Sequence, residues 1–281
     1  MKIASHRGLS PASRFGCRWL SPIVVLFFAV SAVVVAELPL KQPKHGGVYI
    51  VAHRGVHENI PENTLPAYQR AIELGCDFVE IDVRTTKDGK FVSVHNSTID
   101  AYVPGKTGRV KDMTLEELRA LDIGARVGEK WVGTRIPTFE EILDLCKGKI
   151  GIYLDLKDAP VPELAALVKA RGMQHEIIWY VNGKHLDDLR ASCAECIEMP
   201  DPGPEKNLEK LLLEKKPRLV ASVWNHASKS FVEACHTACA PVIIDEDGTE
   251  CWKDLLAWGT DGIQTDYPEA LIDYVVAHPG K

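Results

Sequence analysis

A chain of 281 residues with 33 Lys and Arg against 39 Asp and Glu carries a net charge of -6 at neutral pH. That acidity argues against nucleic acid or an anionic membrane surface as its main partner. A hydrophobic content of 46% supports one sizeable core, and a single domain of about 250 residues suits a barrel better than two small domains.

Residues 1–36 have the pattern of an export signal. Lys2, Arg7, Arg14 and Arg18 stand without any acidic neighbour, and the apolar run over 19–36 is broken only by Ser21, Pro22 and Ser31. Val34 and Ala36 put small residues where a signal peptidase reads, so cleavage is expected before Glu37. The alternative is a membrane anchor through residues 19–36, because 18 residues come close to spanning a bilayer. No Cys closely follows the run, which argues against a bacterial lipoprotein. Cleavage takes four positive charges away and moves the net charge from -6 to -10. It leaves 37–281 as one domain, exported to a periplasm or the medium, with no stable membrane insertion of its own.

Beyond Glu37, short apolar runs alternate with amphipathic stretches. A strand at 48–52 ends in His53-Arg54-Gly55. A helix over 64–74 stops at Gly75, and a strand at 78–83 follows. Another strand at 91–94 delivers His95. Residues 96–137 form an insertion, with a helix at 114–121 capped by Thr114 and Glu117. Further helices are expected at 138–146, 161–171, 184–190, 205–214, 229–237, 252–258 and 269–276. They alternate with strands at 150–155, 176–180, 196–199, 219–223, 241–245 and 262–265. Strand followed by helix implies parallel pairing, and about eight such units close into an α/β barrel, the (β/α)8 or TIM architecture, with a small insertion after the second histidine strand.

Seven cysteines remain after cleavage, an odd number. Cys193 and Cys196 have the spacing of a redox or zinc motif, and Cys235 and Cys239 lie one helical turn apart. A local disulfide or buried thiols fit better than zinc, because no second close CxxC pair completes a four-ligand set.

The chemistry gathers between Val51 and His95. The period of two in the strand at 78–83 puts Glu80 and Asp82 on one face, with Val79, Ile81 and Val83 on the other. Two adjacent carboxylates repel unless a cation lies between them, which is how calcium or magnesium is held. Two histidines at the ends of separate strands titrate near neutral pH and can divide general acid and general base work. A lone histidine at a strand end is usually structural; two beside paired carboxylates form a catalytic constellation.

His53-Arg54-Gly55, Pro61-Glu62-Asn63-Thr64, Glu80-Ile81-Asp82 and His95 resemble the glycerophosphodiester phosphodiesterase family. The similarity continues through Gly105–Val110, Thr114–Leu118, Ile136–Glu141 and Gly259–Pro268. It implies a TIM barrel with its functional face at the C-terminal strand ends. His53 and His95 would be the catalytic pair, and Glu80, Asp82 and Asp155 would hold a divalent cation: calcium, magnesium or zinc. Arg54, Lys157 and Glu62 would bind substrate or support its binding. Trp224 could line the alcohol pocket, although an aromatic at a barrel rim more often packs. The implied reaction is metal-dependent hydrolysis of a small glycerophosphodiester to glycerol 3-phosphate and an alcohol. A substrate hydroxyl would attack phosphorus first, and water would then open the cyclic phosphate.

This sequence departs from the family in two places. Asn96 follows the second histidine where Asp is common, and Asp155 replaces the usual Glu of a Glu-x-Lys motif. A lipid phosphodiesterase or phospholipase is a second expectation, weakened by the lack of an apolar, basic docking stretch in 37–281. A barrel that binds phosphodiesters without cleaving them is a third. Head group, metal and oligomeric state have no readable code.

Overall fold

Nine strands and nine α-helices alternate through most of the computed structural model, which describes residues 40–278. The expected signal, 1–36, lies outside the described residues. The described residues belong to one unit spanning Glu37–Lys281.

The chain runs β1 (Tyr49–Ala52), α1 (Leu65–Leu74), β2 (Phe78–Thr85), β3 (Phe91–Ser93), α2 (Leu115–Arg119), α3 (Phe139–Cys146) and β4 (Gly151–Leu156). There follow α4 (Val161–Arg171), β5 (Ile177–Tyr180), α5 (Gly183–Ser192), β6 (Ile197–Glu198), α6 (Leu208–Lys215), β7 (Val220–Val223), α7 (Lys229–Thr237), β8 (Val242–Asp245), α8 (Trp252–Trp258), β9 (Gly262–Thr265) and α9 (Pro268–Ala277). Eight strands follow one another in the order β6-β5-β4-β2-β1-β9-β8-β7, every neighbouring pair parallel. The Ala221 amide, in β7, donates to Pro200 O just past β6 at 3.0 Å and joins the two ends of that order into a ring. The result is a distorted (β/α)8 barrel.

Strand periodicity sorts the side chains into two cores. Val51, Phe78, Tyr153, Ile178, Ile197, Ala221 and Ile243 fill the barrel interior. Ile50, Ile81, Leu154, Trp179 and Ile244 point outward and pack with Phe139, Leu164, Phe231 and Leu271 of the helices. Glu80, Asp82, Asp155 and Asp245 share the inward parity, so they belong to the barrel's interior side.

Helix ends follow the sequence signals. Thr64 caps α1 by accepting from Ala67 N, and Gly75 ends it at φ 80°. Thr114 with Glu117 and Thr138 with Glu141 make capping boxes. Several elements are shorter than expected: α2 stops at Arg119, α6 begins only at Leu208, and β6 is only Ile197–Glu198.

The strand leading to His95 differs most from expectation. β3 pairs antiparallel with β2 and stands outside the ring. The insertion after it buries its own cluster of Val92, Val94, Ile99, Tyr102, Val110, Leu118, Ile123 and Ile136. Cys193 and Cys196 are joined in a local disulfide. Cys235 is a buried free thiol and Cys239 an exposed one.

Candidate active site

The loop after β1 is shaped by backbone that few side chains tolerate. Arg54 and Asn63 have φ of 53° and 54°, in the left-handed region that costs a non-glycine residue energy. Between them, Gly55 at φ 79° crosses α1 so closely that an added Cβ would lie 2.8 Å from the Ala67 Cβ. This path turns the Arg54 amide onto Glu80 Oε2 at 2.7 Å. It also brings Asn63 Nδ2 to donate to Asp82 Oδ2 at 2.7 Å. Tyr68 OH and Ser93 Oγ donate to Asn63 Oδ1 at 2.9 and 2.7 Å, locking the carboxamide.

Asp82 and Asp155 are direct partners across β2 and β4. With Glu80 they present ligand oxygens all within 4.8 Å of one another, so the shorter Asp155 still reaches the cluster. Lys157 Nζ lies 2.6 Å from Asp155 Oδ2 and 3.0 Å from Asp82 Oδ1. Arg54 Nε lies 3.8 Å from Asp82 Oδ2, and Arg54 Nη1 donates to Glu62 Oε1 at 3.4 Å.

These cations leave the carboxylates under-compensated. Burial, then Asp82 and Asp155, push the Glu80 carboxyl well above its ordinary pKa despite the Arg54 amide and Lys157. Asp155 is also raised by burial, against the pull of Lys157. Burial alone would lower Lys157 and Arg54; the surrounding carboxylates outweigh it and raise both. Three hard oxygen donors converging in a buried site fit a divalent cation.

The two histidines named by the sequence are held differently. His53 Nδ1 lies 2.6 Å from Asp266 Oδ1, and His57 Nε2 lies 2.9 Å from the same oxygen. A carboxylate only accepts, so both ring nitrogens are donors, and His53 Nε2 lies outside this contact. Hydrogen bonds from His53 and His57 hold the Asp266 carboxyl far below its ordinary range, despite its burial. His95 Nδ1 donates to Asn96 Oδ1 at 2.9 Å. Arg84 fixes the adjoining backbone by donating to Val94 O at 3.1 Å and to His95 O at 2.6 Å. His95 is near enough to Asp155 to favour its ionised form.

The insertion reaches this network twice. Asn96 N donates to Tyr102 OH at 3.0 Å, and the Arg126 guanidinium covers the Tyr102 ring at 5.3 Å and lies 4.0 Å from Glu62. Trp131 Nε1 donates to Asn59 O at 2.6 Å, tying the insertion to the β1–α1 loop.

Arg54, Glu62, Glu80, Asp82, Asp155 and Lys157 thus form one contact network, with His95 beside it. Trp224 stands apart, stacked on Trp258 with ring centroids 5.1 Å apart and packed against the helix-side core. The sequence reading passed over His57, Arg84, Asp266 and Asp245. A signal for Asp266 existed: it directly follows the last strand, and ring closure sets that strand beside the first, with His53 N donating to Thr265 O at 3.0 Å.

The sequence model of the Glycerophosphoryl diester phosphodiesterase family matches residues 53–193. The glycerophosphodiester phosphodiesterase of Caldanaerobacter subterraneus subsp. tengcongensis is 50% identical over 247 residues, covering 80% of this chain and 97% of that protein. Among solved structures, the glycerophosphodiester phosphodiesterase of Agrobacterium tumefaciens superposes with a TM-score of 0.72 at 25% identity, covering 80% of this chain and 99% of its own. A phosphodiesterase of Oleispira antarctica, solved with its product sn-glycerol-3-phosphate, shares the fold with a TM-score of 0.73 at 24% identity, covering 82% and 96% of the two chains.

Proposed function

Because this chain belongs to the glycerophosphoryl diester phosphodiesterase family, we propose that it hydrolyses glycerophosphodiesters to glycerol 3-phosphate and an alcohol. The observation that carries this is the convergence of Glu80, Asp82 and Asp155 with two basic side chains, alongside His53 and His95, each held at Nδ1 by an acceptor.

In this reading Arg54 and Lys157 contact the phosphate oxygens and neutralise their charge. Glu62 holds Arg54 in place. A divalent cation held by Glu80, Asp82 and Asp155 supplies Lewis-acid polarisation of the phosphoryl group when bound. His53 and His95 keep Nε2 for proton transfer: one takes the proton of the attacking hydroxyl and the other protonates the leaving alkoxide. If a glycerol hydroxyl attacks first, the two imidazoles exchange roles when water opens the cyclic phosphate.

The proposal includes export through residues 1–36, supported by their charge pattern and by a disulfide between Cys193 and Cys196, a bond favoured in oxidising compartments. Among the described residues no helix is long and apolar enough to cross a membrane. N-terminal sequencing of exported protein should begin at Glu37; retention of Met1 to Ala36 would favour the anchor.

The central test is release of glycerol 3-phosphate from glycerophosphocholine and glycerophosphoinositol by residues 37–281, with EDTA or with added calcium, magnesium or zinc. Turnover should vanish with EDTA and return with a divalent ion. His53→Ala and His95→Ala should each lower kcat by about 10²- to 10⁴-fold. Well-folded protein inert toward both diesters with every metal would overturn the reading for these substrates.

A further inference from the structure

The proposed hydrolysis gives no task to His57. Its ring stands edge-on to that of His53, with centroids 6.4 Å apart and planes at 76°. Both rings point a nitrogen at Asp266 Oδ1, His53 Nδ1 from 2.6 Å and His57 Nε2 from 2.9 Å. Orienting His53 needs one acceptor, such as His95 has in Asn96, so a second imidazole on the same oxygen is surplus to that purpose.

The ligand atoms of His53, His57 and Asp266 all lie within 4.8 Å of one another, one of two such groups among the described residues. Around a tetrahedral zinc with bonds of about 2.0–2.1 Å, ligand atoms stand about 3.3 Å apart. Small side-chain adjustments therefore admit an ion between the three. Their side chains are 22%, 24% and 47% exposed, and a cavity of about 230 Å³ lined by His53 and Asp266 opens beside them. Water from that cavity can complete the tetrahedron. Asp245, Glu246 and Asp247 line the same cavity, and their charge draws cations towards it.

The two groups call for different metals. Glu80, Asp82 and Asp155 offer three oxygens, a hard set that suits calcium or magnesium. His53, His57 and Asp266 offer two imidazole nitrogens and one carboxylate, a set that suits zinc better than either of those ions. Among the described residues Asp266 has no Lys or Arg within ion-pair distance to compete with a metal.

We infer that His53, His57 and Asp266 form a second metal site, selective for zinc, whose occupation switches the hydrolysis off. The inference rests on the proposed reaction, because the site takes His53 out of the acid–base pair. Ligation through Nδ1 of the neutral ring moves its one proton to Nε2, with none gained or lost. His53 then has no free lone pair with which to take a proton. His57, bound through Nε2, keeps its proton on Nδ1.

The experiment titrates zinc into magnesium-loaded protein by calorimetry and follows turnover of glycerophosphocholine in parallel, for wild type, His57→Gln and Asp266→Asn. Cobalt(II), added in place of zinc, reports four-coordination by its visible absorption. Wild type should bind one zinc beyond its magnesium, gain the cobalt spectrum and lose kcat by about 100-fold or more, the share of one general acid or base. Each variant should weaken zinc at least about tenfold, since even an outer partner of a ligand is worth that much, and should lose the cobalt spectrum. Circular dichroism identifies a variant that fails to fold, and the other then decides. Absence of zinc binding beyond the magnesium, or zinc affinity and cobalt spectrum unchanged in a folded variant, overturns the inference. Magnesium-supported turnover that saturating zinc leaves unchanged overturns it too and keeps the hydrolysis. Zinc binding that depends on His57 in a protein inert toward every diester would reject the hydrolysis and keep the metal site.

Discussion

In the proposed reaction His53 and His95 would do the same kind of work with unlike partners, and the difference is measurable. Asp266 gives His53 a carboxylate acceptor at 2.6 Å. Asn96 gives His95 an acceptor of the same shape without charge. Asn96→Asp should therefore move the His95 limb of the pH profile of kcat/KM to higher pH, while leaving the His53 limb in place. An unmoved profile would mean that Asn96 only orients the ring. Asp266→Asn should lower kcat by about 10- to 100-fold, the usual loss for an orienting partner. Because the folded-state pKa of Asp266 is depressed, its contribution to stability is present above the unfolded carboxylate value near 4 and is lost as pH falls below it. The melting temperatures of wild type and Asp266→Asn should differ at pH 6 and converge in acid.

The β2–β3 hairpin and the insertion behind it form the element on which His95 depends. The hairpin turn was legible: Asp88-Gly89 between two apolar runs is a turn signal, and Thr86 N donates to Lys90 O at 2.8 Å with Gly89 at φ 72°. Alternation alone does not reveal it, because a ring strand and an antiparallel partner of β2 both read as a short apolar run. Trp131→Ala removes the anchor between insertion and β1–α1 loop. At about 1 kcal/mol for the lost hydrogen bond, Tm should fall by only 2–4 °C. Limited proteolysis within 124–134 should nevertheless accelerate clearly, and equal cleavage rates would contradict the anchoring role.

Across the whole molecule, what could be read from sequence was what is local in sequence. Alternation in β2 puts Glu80 and Asp82 on one face, and α4, α7 and α8 have the boundaries expected from capping and periodicity. His53 and Asp266 are 213 residues apart; only closure of the ring brings them together, and no periodicity records that. The same closure has one weak seam. Between β6 and β7 a single backbone bond replaces a ladder. Buried Glu198 braces that region by accepting from Arg190 at 2.8 Å and from Arg218 at 3.0 Å. Glu198→Ala removes the carboxylate from both guanidinium groups, which keep only backbone carbonyl acceptors, and should cost about 2–3 kcal/mol, less than a fully buried pair because each arginine side chain is about a third exposed. Denaturant unfolding would measure it, and a loss below 0.5 kcal/mol would show that the seam needs no brace.

Since β3 pairs only with the last three residues of β2 and its insertion buries a separate cluster, the part that carries His95 should loosen before the ring does. Such an enzyme should carry a thermal fuse. On gradual warming, turnover should fail before the barrel's circular dichroism changes, and it should return on cooling because nothing in the ring has to be rebuilt.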